Sequence, residues 1–195
     1  MTDLSEKLVV AVSGSPRPQG NTVQLARHAL GPAEEAGLQT ELISLAGKDI
    51  RGCQACGWCR DRKESEAPRC KIEDDFGPVF ERMLAADALL LGSPVYFGSA
   101  TPEIKATIDR AGFAGRDAFR RKVGAPFTVA RRAGQNYTFA QLMYFFMICD
   151  MIVPGSSYWN VAFGLKEGSV REDEEGLQTI EHLGENVVWL LDKLS

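Results

Sequence analysis

The chain has 195 residues, 45 % of them apolar, and its 22 Lys and Arg against 26 Asp and Glu leave a formal net charge of -4. That length buries one substantial core, so a single domain over residues 1–195 is expected. A mildly acidic chain is a poor match for a phosphate backbone, which argues against nucleic acid, and no stretch reaches the ~18 uninterrupted apolar residues of a membrane span.

The opening "MTDLSEKLVVAVSG" has no cationic segment ahead of a long apolar run, so a cytoplasmic protein is expected. In a reducing compartment its five cysteines point to metal, redox chemistry or burial rather than to disulfides. "KLVVAVSG" (7–14) is β-branched, apolar and closed by glycine, as a strand buried on both faces would be. From Asn21 the apolar spacing turns helical, through Val23, Ala26 and Leu30, until Gly37 stops it. A second strand follows over 38–45, a helix over 76–86, a third strand over 87–94 and a helix over 101–112, with Pro102 suited to its first turn. Residues 123–130 read as a fourth strand in which Pro126, having no N–H to donate, is expected at an edge or a strand start. A buried helix (137–151), a last strand region (151–164) and an amphipathic helix (173–194) close the chain. Cys149, alone in "YFFMICDMIV", reads as a small core residue. His28 and His182 read as members of solvated helix faces.

Short apolar strands alternating with helices are the pattern of βαβ units around a parallel sheet. Five strands fit a doubly wound α/β sheet of flavodoxin-like order 2-1-3-4-5, in which ligands sit beyond the carboxyl ends of the strands. Three loops reach that edge. "SGSPRPQGNT" (13–22) leads into a helix and offers N–H groups, the hydroxyls of Ser13, Ser15 and Thr22 and the amide of Asn21 to a phosphate. It is neither a Walker A loop nor Gly-x-Gly-x-x-Gly; its alternative is an ordinary capped turn. "GSPVYFGSATP" (92–102) holds Tyr96 and Phe97 where they would flank a planar ring or serve as core or interface aromatics. "ARRAGQN" (130–136) brings a glycine and two arginines, either ring contacts or solvated surface.

Cys53, Cys56, Cys59 and Cys70 have the spacing C-x2-C-x2-C-x10-C, within a long connection (46–75) that follows the second strand. Such a set holds a four-iron cluster or a tetrahedral zinc, or stays as redox-active thiols. The C-x2-C-x2-C start is closer to ferredoxin spacing than to a zinc ribbon. Residues 51–71 also carry more basic side chains (Arg51, Arg60, Arg62, Lys63, Arg69, Lys71) than acidic ones (Asp61, Glu64, Glu66), a balance that favours an anionic cluster. Arg116, Arg120, Arg121 and Lys122 form a second basic group with Asp117 as the nearby acid, suited to the 2′-phosphate of NADPH, to an acidic partner, or to a solvated helix end.

Taken together, "SGSPRPQGNT" and "SPVYFGSATPEIKATIDR" resemble the NADPH-dependent FMN reductase family, and with the cysteine segment and "CKIEDDF" the chain is most similar to its iron-sulfur flavoprotein branch. The resemblance implies that Ser13, Ser15, Arg17, Gly20, Asn21 and Thr22 hold the FMN phosphate. It implies that Pro94, Val95, Tyr96, Phe97 and Gly98 line the isoalloxazine and ribityl, with Arg131, Arg132 and Gly134 closing the ring site. It makes Cys53, Cys56, Cys59 and Cys70 the ligands of a 4Fe-4S cluster. The expected activity is NAD(P)H oxidation through FMN to a quinone, flavin or redox protein, in a homodimer or homotetramer. A flavodoxin-type electron carrier, or a regulatory module whose cysteines sense redox state, is the alternative.

Overall fold

The computed structural model describes residues 4–61 and 66–194. Five parallel strands, β1 (Leu8–Ser13), β2 (Gln39–Ser44), β3 (Ala88–Pro94), β4 (Val123–Ala130) and β5 (Val161–Phe163), lie in the order β2-β1-β3-β4-β5. This is the expected flavodoxin-like arrangement. Alternate residues of each strand face opposite layers. Val9 and Ala11 of β1 pack beneath α1 (Asn21–Glu35) and α5 (Glu174–Leu194). Val10 and Val12 pack on the other face, among residues of α2 (Phe76–Ala85), α3 (Pro102–Gly115) and α4 (Gln135–Ile148). Both faces being covered is why the strands read as continuous apolar runs.

Pro126 departs from expectation. It lies in the middle of β4, in register with Leu91 of β3, and β4 is an interior strand. The ladder on the β5 side explains why it is tolerated. There Gly124 N–H donates to Ile152 and Thr128 N–H to Asn160, while Pro126 falls in the gap between, and its carbonyl accepts from the Asn160 side chain at 3.0 Å. The missing N–H therefore costs no strand bond. For the same reason the last strand is shorter than expected: β5 proper is Val161–Phe163, and Ile152 contributes a lone bridge to Val123.

Cys149 is buried, and burial pushes its thiol up to about 11, as befits a core residue. His182 is exposed, but His28 is not on a fully solvated face: its Nε2 lies at the α1–α5 seam, 3.8 Å from Glu181. The basic group ahead of β4 is also less free than its sequence implied. Arg120 pairs with Asp150 at 2.9 Å, and the half-buried Lys122 amine caps the end of α2 through the carbonyls of Leu84 and Ala86. Burial lowers the Lys122 pKa.

Candidate functional site

The loop after β1 is closed on itself by Ser15. Its hydroxyl accepts from Arg17 N–H at 3.1 Å and contacts the Arg17 carbonyl at 3.2 Å, while Gly20 N–H returns to that carbonyl. A Cβ at Gly20 would sit 2.4 Å from the Ser15 hydroxyl, so the loop closes only around glycine. Ser13, Ser15 and Thr22 are buried there, and Arg17 stays exposed. Asn21 and Thr22 begin α1, where N–H groups have no carbonyl one turn behind them and the helix dipole is positive. Together these features fit a phosphate. Asn21 is placed differently from the rest: its amide donates to the Lys166 carbonyl at 2.9 Å and accepts from Val170 N–H, tying this loop to the segment before α5.

The loop after β3 is bound to the first one. Thr101 donates its hydroxyl to the Gly14 carbonyl at 2.7 Å, and its N–H donates to Ser93. Between them Tyr96 and Ser99 exchange backbone hydrogen bonds across a two-residue turn, with Phe97 at φ 51° and Gly98 at φ 75°. Phe97 combines a left-handed backbone with a fully exposed ring. Such an unfavourable combination is typical of sites where the chain is held for a ligand. The loop after β4 completes the edge: Gly134, at φ 95°, approaches so closely that a Cβ would lie 2.8 Å from Val95 and 3.1 Å from Gly98. Arg131 and Arg132 are exposed beside it. The three predicted loops therefore meet at one sheet edge, with small residues where their backbones touch.

Residues 45–75 between β2 and α2 carry the cysteines. Two aspartates gather the ends of this connection. Asp75 N–H donates to the Asp49 carbonyl and Asp75 carboxylate accepts from Asp49 N–H, while the Asp74 carboxylate accepts from Arg51 N–H at 2.9 Å and Phe76 N–H at 3.1 Å. Arg110 of α3 locks the closure from below through a 2.6 Å ion pair with Asp74 in which neither side chain is exposed. Sequence reading assigned no role to either residue. The available signal was an arginine at 110, between Thr107 and Ala114 on the buried stripe of a helix.

Cys53, Cys56, Cys59 and Cys70 all line one cavity of about 140 Å3, which Arg110 and Phe113 also border. Cys53 and Cys56 are exposed, while Cys59 and Cys70 are half-buried. Burial raises the Cys59 thiol pKa, and the neighbouring Cys70, Cys53 and Cys56 raise it further. Four sulfurs around one cavity are a suitable donor set for an iron-sulfur cluster. Among the described residues, no three His, Cys, Asp or Glu side chains are grouped closely enough to hold a metal as they stand. Of the local basic excess, Arg69 stacks on Trp58 and pairs with Glu66, and Arg60 lies over Phe113; Arg62, Lys63 and Glu64 fall outside the described residues.

The profile of the NADPH-dependent FMN reductase family matches residues 8–166, the whole of the sheet with its ligand-edge loops. The chain belongs to that family. An iron-sulfur flavoprotein of Methanocaldococcus jannaschii is 39% identical over 191 residues, covering 92% of this chain and 94% of the relative. One from Methanosarcina thermophila is 32% identical over 189 residues, covering 94% and 95%. In architecture the chain is similar to a flavodoxin, WrbA-like protein from Agrobacterium tumefaciens (TM-score 0.67, 17% identity, 97% of this chain and 99% of that one). Membership of the FMN reductase family makes the chain a flavoprotein oxidoreductase with FMN as its cofactor. Among the described residues no helix is long and apolar enough to cross a membrane.

Proposed function

We propose that this family member oxidises NAD(P)H through FMN and delivers the electrons, by way of a four-iron cluster on Cys53, Cys56, Cys59 and Cys70, to a quinone, flavin or redox protein. The observation that carries the reading is the convergence of all four cysteines on one cavity beside α3, the helix capped by Thr101, whose hydroxyl donates to Gly14 in the loop after β1. The family's description supports a reduced nicotinamide as donor, and the names of the two relatives support the cluster.

Bound FMN would supply hydride acceptance and one-electron release. The chain's own residues do the rest. Ser13, Ser15 and Thr22, with the N–H groups at the start of α1, hold the phosphate at the end of the sheet. Residues 94–98 and Gly134 shape the ring site, and Arg131 and Arg132 lend positive charge at its rim. No side chain is required as a general acid or base, since hydride transfer to a flavin needs orientation and electrostatics. Closing the cysteine set requires the four side chains that share the cavity to draw closer together.

Protein purified without oxygen tests this. The expected result is one FMN, about four irons and matching sulfide per chain, with steady-state oxidation of NADPH or NADH; Cys56→Ala should retain FMN and lose iron. Iron-free wild type that still oxidises NAD(P)H after reconstitution would remove the cluster. Flavin-loaded protein that oxidises neither nucleotide would make it an electron carrier.

Self-association as a homodimer or homotetramer is part of the same reading, supported by exposed Phe113, Tyr144, Met147 and Ile148 on α3 and α4. Sedimentation should show an oligomer, and glutamate at Tyr144 and Ile148 together should dissociate it; a monomeric wild type would refute the assembly.

A further inference from the structure

Arg110 is the largest wholly buried side chain among the described residues, with 1% of its surface exposed. Four interactions explain its place in the fold. Nη1 donates to Asp74 at 2.6 Å and to the Arg51 carbonyl at 3.1 Å, Nη2 donates to the Ile72 carbonyl at 3.1 Å, and the guanidinium plane rests 4.1 Å from the centre of the Phe76 ring. These contacts sew both limbs of the cysteine connection to α3. They use three of the five N–H donors of the guanidinium, and Nε is a buried nitrogen with no hydrogen-bond partner. Buried donors without acceptors are uncommon, because burial removes the water that would otherwise satisfy them.

Arg110 itself borders the cavity that the four cysteines line. Cys70 lies beside the guanidinium, close enough to favour its charged form along with Asp74, against the opposing effect of burial. A thiol is a weak acceptor, whereas a thiolate bound to iron is anionic and accepts strongly from a charged donor.

We infer that Arg110 directs its Nε–H and its positive charge at the Cys70 sulfur once that cysteine is a cluster ligand, and thereby raises the cluster's reduction potential. The inference rests on the cluster reading above. Hydrogen bonds to cluster sulfurs and local net charge are the levers by which a protein sets that potential. A positive charge nearby stabilises the reduced cluster, which carries one more negative charge than the oxidised form. Asp74 opposes this by neutralising part of the Arg110 charge at 2.6 Å. The two residues therefore act on the centre with opposite sign.

Reconstituted full-length holoprotein, titrated anaerobically with EPR detection of the reduced cluster, tests the inference. Arg110→Lys keeps a cation for Asp74 but has no donor at the Nε position, so its midpoint potential should fall. Asp74→Asn leaves the Arg110 charge less compensated, so its midpoint should rise. Iron and FMN content, measured on the same samples, verify that each variant is loaded and folded. Shifts in opposite directions support the inference, because a general loosening of the connection would move both variants the same way. An unchanged midpoint in iron-loaded Arg110→Lys, or shifts of the same sign in both variants, would overturn it and leave Arg110 a structural clasp. If Arg110→Lys does not fold, the sign of the Asp74→Asn shift decides. Wild type that takes up no iron would refute the cluster reading itself, an outcome separate from iron-loaded variants with unmoved potentials.

Discussion

Asp74→Ala will lower the folding stability of the chain by about 3–5 kcal/mol, the range for breaking a buried ion pair by removing one partner. The carboxylate has no exposed surface, and its loss strands the Arg110 cation where water cannot reach it. The same substitution removes the acceptor for the Arg51 and Phe76 N–H groups, which hold the cysteine connection closed and start α2. Asp49→Ala is the control. Its carboxylate is 75% exposed and 4.0 Å from Arg51, so its removal should cost no more than ~0.5 kcal/mol. Denaturant unfolding of the three proteins measures the difference, and equal midpoints would show that the pair is not a clasp.

The same residue predicts a pH dependence. Burial works to raise the Asp74 pKa, but the hydrogen bond from Arg110, with those from the N–H groups of Arg51 and Phe76, outweighs it and holds the folded value below the ordinary 3.8. The unfolded chain then binds more protons than the folded one just below pH 3.8, so stability rises with pH through that window. The Asp74 contribution is complete above the window and disappears as pH falls through the folded pKa. The acid limb of the wild-type stability curve should therefore be steeper than that of Asp74→Asn, and superimposable limbs would refute the assignment.

Gly20→Ala will weaken FMN binding by about tenfold to a hundredfold, the loss of one hydrogen bond to a charged group at about 1.5–3 kcal/mol. The added methyl would meet the Ser15 hydroxyl at 2.4 Å and the Arg17 carbonyl at 3.2 Å, so the turn that presents N–H groups at the head of α1 must open. Gly155→Ala, which meets nothing within 4 Å, should leave the affinity unchanged. Quenching of FMN fluorescence on titration of the apoprotein gives both dissociation constants. Equal affinities for wild type and Gly20→Ala would mean that the phosphate lies elsewhere.

Much of this architecture was determined locally. The apolar runs at Leu8–Ser13, rich in valine, and Ala88–Pro94, rich in leucine, have no polar face to offer solvent, so they admit a strand covered on both sides and little else. Helical spacing after Asn21 and in 173–194 supplies the cover of one face, and the helices over 76–86, 101–112 and 137–151 supply that of the other. Right-handed crossovers between alternating strands and helices are then consistent with the order 2-1-3-4-5 and its three ligand-edge loops. Cys53, Cys56 and Cys59 are close together for the same local reason, since they are neighbours in one short run.

What the chain could not reveal by itself lies where distant segments meet. Pro126 was misplaced because a proline is excluded from an interior strand only if its neighbour needs its N–H, and the gap between Ile152 and Asn160 exists only in the assembled sheet. That the Asn21 amide bonds to Lys166 and Val170, across 145 and 149 residues of sequence, is likewise seen only in the assembled fold. Asp150 reaches Arg120 only because the segment after α4 runs back beside the start of β4. Arg110 carries the largest consequence of this kind. Within its helix it is one cation on an apolar stripe, and only tertiary packing gives it Asp74, three chain segments to join, a buried unpartnered Nε and a place beside the cysteine cavity. Strand and helix preferences are properties of a few consecutive residues, whereas compensating a buried charge depends on partners brought from 36 and 59 residues away.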